Sequence, residues 1–148
     1  MPPALLSIGE LARRANVSVQ TIRWYEREGL LPAPLRTSGG QRRYDKVALR
    51  RLSFIRHARE LGLPLSDIRA LLALADNPAA PCREADEIIR RNLKSVRERI
   101  RWLKALEREF TRMLEECPTG EVRDCRVIEV LSDHEQCLDE HQKPPEER

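Results

Sequence analysis

Between Glu84 and Glu116 the chain contains neither glycine nor proline, and Ile89, Leu93, Val96, Ile100, Leu103, Leu106, Phe110 and Met113 recur at steps of three or four residues. That spacing draws one apolar stripe along a single helix. At about 1.5 Å rise per residue such a helix is roughly 50 Å long. Cys82 stands just before it and Cys117 just after it, so the two thiols cannot reach a common ion within one chain. A second chain would bring them together. The other faces of the helix are dense in charge, from Arg90, Arg91 and Lys94 through Glu107, Arg108 and Glu109. An apolar stripe on an otherwise solvated rod needs a partner helix, because the flanking segments are too short to cover it. Dimerisation is the simplest answer. A monomeric bundle would have only about half the chain left to build it. The steps from Ile100 to Leu103 to Leu106 are three residues each, which argues for pairing over a few turns rather than a long regular supercoil.

The whole chain has 148 residues, room for one small domain plus this extension. The opening segment MPPALLSIGE has no basic run and no sustained apolar run. No stretch approaches the roughly 20 apolar residues of a membrane span. A cytoplasmic protein with no membrane association is therefore expected. Four cysteines in a reducing compartment read as ligands or sensors rather than disulfides. Net charge is only +3, but residues 1–80 hold thirteen Lys/Arg against seven Asp/Glu, which leaves 14 against 17 for the rest. Between positions 36 and 59, Arg36, Arg42, Arg43, Lys46, Arg50, Arg51, Arg56 and Arg59 face the single acid Asp45. A phosphate backbone would attract such a cluster.

Leu11, Ala12, Ala15 and Val17 give a short amphipathic helix that stops at Asn16, and Ser18 caps the next one, Val19 to Glu28, which buries Ile22 and Tyr25. Two short helices joined by a tight turn suggest a helix-turn-helix. Leu35-Arg36-Thr37, a Ser38-Gly39-Gly40 turn and Gln41 to Tyr44 then form a basic β-hairpin, placed as a wing would be. Asp45 caps a helix that runs to Leu61 and ends at Gly62. Leu63-Pro64-Leu65-Ser66 leads into another helix, Asp67 to Ala75, and Asn77 to Pro81 form a stiff linker to the long helix.

The series IGELARRANVSVQTIRWYEREGLLP, RTSGGQRRY and LSFIRHARELGLPLSDIRALL resembles the winged-helix DNA-binding domain of the MerR family of transcriptional regulators over residues 7–76. Trp24 stands where Tyr or Phe is more usual. The resemblance implies a mainly α protein: a winged helix-turn-helix domain (1–76), a linker (77–83), a long antiparallel dimerisation helix (84–116), a metal-binding loop and short helix (117–133) and a polar tail (134–148). It implies a symmetric dimer whose recognition helices enter successive major grooves of promoter DNA while the wings grip flanking phosphates. Arg23 would reach phosphate or a guanine edge. Arg42 and Tyr44, with Arg36 and Arg59, would meet backbone oxygens, and Thr21 and Ser18 are weaker candidates. The plainer reading keeps Trp24, Tyr25 and Tyr44 as core aromatics and His57 as structural.

Pro118 disfavours helix at Cys117, so a loop is expected from there to Cys125, with Val127, Ile128, Val130 and Leu131 in a short helix that packs it down. Cys-x7-Cys alone is weak evidence for metal; Cys82, thirty-five positions earlier, strengthens it. In the metal-sensing branch of the family, the resemblance implies, Cys82 of one chain joins Cys117 and Cys125 of the other. The loop CPTGEVRDCRVIEVLS most resembles copper-sensing members, whereas Cys82 marks sensors of divalent ions. Two thiolates suit a monovalent ion, and three supply the charge and coordination a divalent one needs. The expected inducer is therefore Hg(II), Cd(II), Pb(II) or Zn(II). Pro118 and Val122 stand where zinc sensors of the family place further ligands, which counts against a dinuclear zinc site. His134, Cys137 and His141 in the tail are candidates for an extra ligand, although the tail's polarity also fits plain disorder.

The resemblance further implies that metal at the helix ends would distort promoter DNA so that RNA polymerase engages it, activating heavy-metal resistance or efflux genes. A Cu(I)-responsive regulator and a thiol-based redox or electrophile sensor are the alternatives. An enzyme is not expected, since a small loop at a helix end offers no pocket with an open metal position and a general base.

Overall fold

The computed structural model describes residues 4–116 and 120–138. The chain divides into two compact units, residues 1–85 and 86–148. In the first, α1 (Ile8–Ala15) opens with a capping box: Ser7 Oγ accepts from the Glu10 N–H at 3.2 Å, and the Glu10 carboxylate accepts from the Ser7 N–H at 3.1 Å. Two of the helix's orphan amides are satisfied this way. Asn16 ends it in the left-handed region at φ 54, where a short polar side chain is tolerated. Ser18 Oγ then accepts from the Thr21 N–H at 3.0 Å and starts α2 (Val19–Arg27).

The wing is a two-residue-per-strand hairpin, β1 (Leu35–Arg36) against β2 (Arg42–Arg43), antiparallel with Leu35 opposite Arg43 and Arg36 opposite Arg42. Gly40 closes its turn at φ 81, and its N–H donates to the Thr37 carbonyl at 2.9 Å. An L side chain would be strained in that conformation. Beyond β2, Tyr44 exchanges two backbone hydrogen bonds with Leu6, at 2.7 and 2.8 Å. The wing base is thus sewn to the segment before α1. Asp45 caps α3 (Lys46–Glu60) by accepting from the Ala48 N–H at 2.9 Å. The next helix, α4 (Leu65–Ala75), begins two residues earlier than the expected Asp67, with Pro64 in the N-cap position; proline's fixed φ is compatible with a helix start. Leu11, Ile22, Leu30, Leu52, Ile55 and Ile68 are fully buried and form the centre of the core.

The long helix, α5 (Arg83–Glu115), has 33 residues. Of the expected stripe, Ile89, Leu93, Val96, Ile100, Leu103 and Phe110 are exposed within one chain, each between 43% and 57%. Met113 differs. It is buried, because it lines the cavity under the short helix α6 (Arg126–Ser132) together with Val130. Residues 134–138 also depart from the expected free tail. His134–Gln136 form a 3-10 turn, the Leu138 N–H donates to Glu109 at 2.8 Å, and the Gln136 carbonyl accepts from Arg112. The physical reason is Glu109, a carboxylate only 3% exposed, which needs Arg112 and a backbone donor to offset its desolvation. Among the described residues no helix is long and apolar enough to cross a membrane.

Candidate nucleic-acid interface and metal centre

On α2 the buried positions are Ile22 and Tyr25, which turns Gln20, Arg23, Trp24 and Arg27 outward as one exposed face. Those side chains offer an amide, two guanidinium forks and an aromatic edge, the groups that read base edges in a major groove. The plainer reading places Trp24 in the core; it is 37% exposed, its ring centroid 5.3 Å from that of Tyr25, and it sits on this face instead. Ser18 and Thr21 share a hydroxyl contact at 2.8 Å, and Ser18 also caps α2. Both hydroxyls are therefore occupied in shaping the helix start.

Tyr44 does not present its hydroxyl to solvent. The residue is 2% exposed and its hydroxyl donates to Glu26 on α2, so the phosphate contact expected of it is not what this position offers. Burial, then the hydrogen bond to Glu26, pushes the phenol well above its ordinary value of 10.0. Arg42 Nη2 lies 3.9 Å from the same Glu26 carboxylate. Glu26 thus joins the wing to the recognition helix, a role that single-residue reading missed because it depends on a contact across eighteen positions. The motif around Arg23 and Tyr25 was the available signal. Arg36 Nη1 donates to the Gly40 carbonyl at 2.8 Å and stiffens the wing turn. Arg59 remains exposed and donates to the Leu63 carbonyl at 3.5 Å.

The basic cluster is partly structural. Arg51 Nε donates to the Leu30 carbonyl at 2.8 Å while Nη1 pairs with Asp76 at 2.9 Å, so it pins the segment after α2 to the end of α4. Arg56 pairs with Glu60 at 3.1 Å. Lys46 and Arg50 are exposed on α3.

Replacing Tyr44 with phenylalanine is expected to destabilise the N-terminal unit by about 1.5–3 kcal/mol at pH 7, the range for a lost hydrogen bond to a charged group. The pH dependence follows from the raised phenol. The native state keeps this proton after the unfolded chain has released it near pH 10.0, so stability present below that pH is lost as pH rises above it. The Tyr44→Phe variant lacks this loss. Chemical unfolding at pH 7 and above pH 10 should therefore show the difference between the two proteins shrinking; a constant difference would detach the hydroxyl from the effect.

Of the thiols, Cys82 is exposed before α5, and Cys125 is half-buried at the N-cap of α6. Cys117 and His141 lie outside the described residues. Cys137 is half-buried and His134 exposed; both line the cavity of about 160 Å³ under α6, beside Met113 and Leu106. Among the described residues of one chain, no three His, Cys, Asp or Glu side chains converge as a metal site. As donors, the cysteine thiolates fit soft ions.

The outward-facing α2, the wing and α3 together define a winged helix-turn-helix DNA-binding protein with a long helical extension. A family model described as "MerR HTH family regulatory protein" matches residues 6–75, and one described as "MerR, DNA binding" matches residues 49–113. The chain is 38% identical to the mercuric resistance operon regulatory protein of Bacillus cereus over 125 residues, 84% of this chain and 95% of that one. It is 41% identical to the HTH-type transcriptional regulator ZntR of Escherichia coli K12 over 128 residues, 84% of this chain and 90% of that one. The crystal structure of the transcription regulator PbrR691 from Ralstonia metallidurans CH34 in complex with lead(II) matches with a TM-score of 0.74 and 41% identity, over 85% of this chain and 98% of that one. The chain belongs to the MerR family of transcriptional regulators. It is a regulator, not an enzyme.

Proposed function

We propose that the protein is a metal-responsive activator of heavy-metal resistance or efflux genes that acts in the cytoplasm as a homodimer on promoter DNA. Cys82 of one protomer and Cys117 and Cys125 of the partner subunit hold one soft divalent ion, Hg(II), Cd(II), Pb(II) or Zn(II). The observation that carries this reading is the 33-residue α5. A helix of that length spans roughly 50 Å at about 1.5 Å per residue, which supports drawing the thiols of one site from two chains, and its apolar stripe is exposed along one protomer. Relatives named for mercuric resistance and solved with lead(II) support the metal class without choosing the ion.

At the DNA, Gln20, Arg23 and Arg27 read base edges while Arg42 and Arg36 in the wing meet phosphates; Arg59 adds a backbone contact. A bound ion would be held by Cys82 of one protomer with Cys117 and Cys125 of the partner subunit and would supply a fixed positive centre for three thiolates. The chain's own part is to couple that site, through the two α5 helices, to the spacing of the recognition helices and thus to the DNA shape. RNA polymerase engages the distorted promoter.

The test is competitive titration of the reduced protein with Hg(II), Cd(II), Pb(II), Zn(II) and Cu(I), alongside promoter binding and transcription. A divalent ion should bind tightest and activate transcription while operator affinity changes little. Tightest binding and activation by Cu(I) would instead favour the two-thiolate reading, and ion-driven release from DNA would contradict the mechanism. In the same assay Arg42→Ala should reduce the slope of log affinity against log salt by about one unit; an unchanged slope removes Arg42 from the phosphate contacts.

A further inference from the structure

The residues on either side of the thiol loop are tied to each other. Glu116, the residue before Cys117, still closes the last turn of α5 with its N–H on the Arg112 carbonyl at 3.0 Å. Its carboxylate lies 3.0 Å from Nε of Arg126, the residue after Cys125 and the first of α6. Arg126 is largely buried, with its side chain 18% exposed. Its other arm, Nη1, reaches Glu129 at 3.2 Å and the Gln136 side chain at 3.4 Å. Gln136 is fixed in turn by Arg112, which donates to its main-chain carbonyl and pairs with the buried Glu109. Glu109 also accepts from the Leu138 N–H at 2.8 Å. A run of hydrogen bonds and ion pairs thus leads from α5 through residues 136–138 to Arg126, and an ion pair returns it to Glu116.

We propose that Arg126 is a positioning residue for the thiol loop: its ion pair with Glu116 clasps the two ends of the loop, and residues 136–138 act as a buttress that holds the guanidinium in place. Bringing together the ends of the nine-residue stretch 117–125 costs chain entropy, and a clasp across its ends lowers that cost before any ligand arrives. The spread charge of the Arg126 guanidinium suits this task, since it stands against the Glu116 carboxylate as an ion pair while Nη1 meets Glu129 and the Gln136 side chain, contacts that a lysine's single ammonium could not span. The segment beyond α6 becomes part of the sensor.

The proposal deepens the metal reading, resting on the loop thiols as its site, but it is tested without metal. In a Cys82→Ser, Cys137→Ser background only Cys117 and Cys125 remain, and their equilibrium with glutathione disulfide reads how closely the loop ends are held. In that exchange the two thiols give up two electrons and two protons to form the Cys117–Cys125 bond, and glutathione disulfide is reduced to two glutathione thiols. Glu116→Gln and Arg126→Gln should each lower the effective concentration of the pair by roughly three- to fivefold at low salt, the upper range for a partly exposed ion pair. The double variant should lose no more than either single one, and the losses should shrink in 1 M salt. Glu116 is half-exposed at a helix end, so Glu116→Gln reads the clasp even where Arg126→Gln disturbs the fold. Unchanged effective concentrations, or losses that add, would overturn the clasp. A protein that shows this coupling yet binds no soft ion would overturn the metal reading and leave the clasp standing.

Discussion

Placing glutamate at Ile100 and Leu103 together is expected to raise the dimer dissociation constant by at least about a thousandfold and to abolish tight operator binding. These residues are 44% and 55% exposed within one chain, so about half of each side chain remains to be buried by a partner. Burying a whole leucine or isoleucine is worth roughly 1.5–3 kcal/mol. Half of that, for two positions repeated in both protomers, comes to about 4 kcal/mol, a factor near a thousand. Desolvating four carboxylates adds to the loss. Operator binding should follow, because in the proposed dimer two half-sites would be read by two recognition helices held at fixed spacing. Since the stripe contributes little to packing inside one chain, the N-terminal unit should keep its fold. Sedimentation would show a folded monomer; a variant that stays dimeric at micromolar concentration would place the dimer contact elsewhere.

Replacing Cys82 with serine should weaken binding of a soft divalent ion by at least about a hundredfold and cost Cu(I) far less. Losing an outer partner of a metal ligand typically costs 10- to 100-fold, and losing a thiolate from the ion itself costs more. Two thiolates leave a divalent ion under-coordinated and under-neutralised, while they suit a linear monovalent one. Cys82 is exposed ahead of α5, so the substitution disturbs no core. Competitive titration against a chromogenic chelator reads both ions, and equal losses for the two would sink the charge argument.

Features that depend on local chemistry were legible in the sequence. The caps by Ser18 and Asp45, the stop at Asn16, the Gly40 turn and the uninterrupted α5 all follow from residue type and spacing. Features that depend on distant partners were not. Tyr44 looked like a wing residue facing phosphate until Glu26, eighteen positions away, proved to accept its hydroxyl proton. Arg51 looked like part of a basic patch, but Leu30 and Asp76 claim it. Met113 continues the stripe by count, yet α6 covers it. The segment at 134–138 looked merely polar, and it is ordered by Glu109, whose charge only burial makes demanding. Of the thiols, the sequence displays the spacing, and their convergence across two chains is the proposal.

The central claim is that each metal site takes Cys82 from one protomer and Cys117 with Cys125 from the partner subunit. It is tested most directly by co-expressing Cys82→Ser and Cys117→Ser chains with different tags, purifying the heterodimer and counting tightly bound divalent ions against each homodimer. Neither homodimer has a complete site. In the heterodimer one site carries both lesions and the other carries neither, so about one ion per heterodimer should return. No recovery above the homodimers would mean that the ion is held within a single chain, and the chain-crossing account would fall.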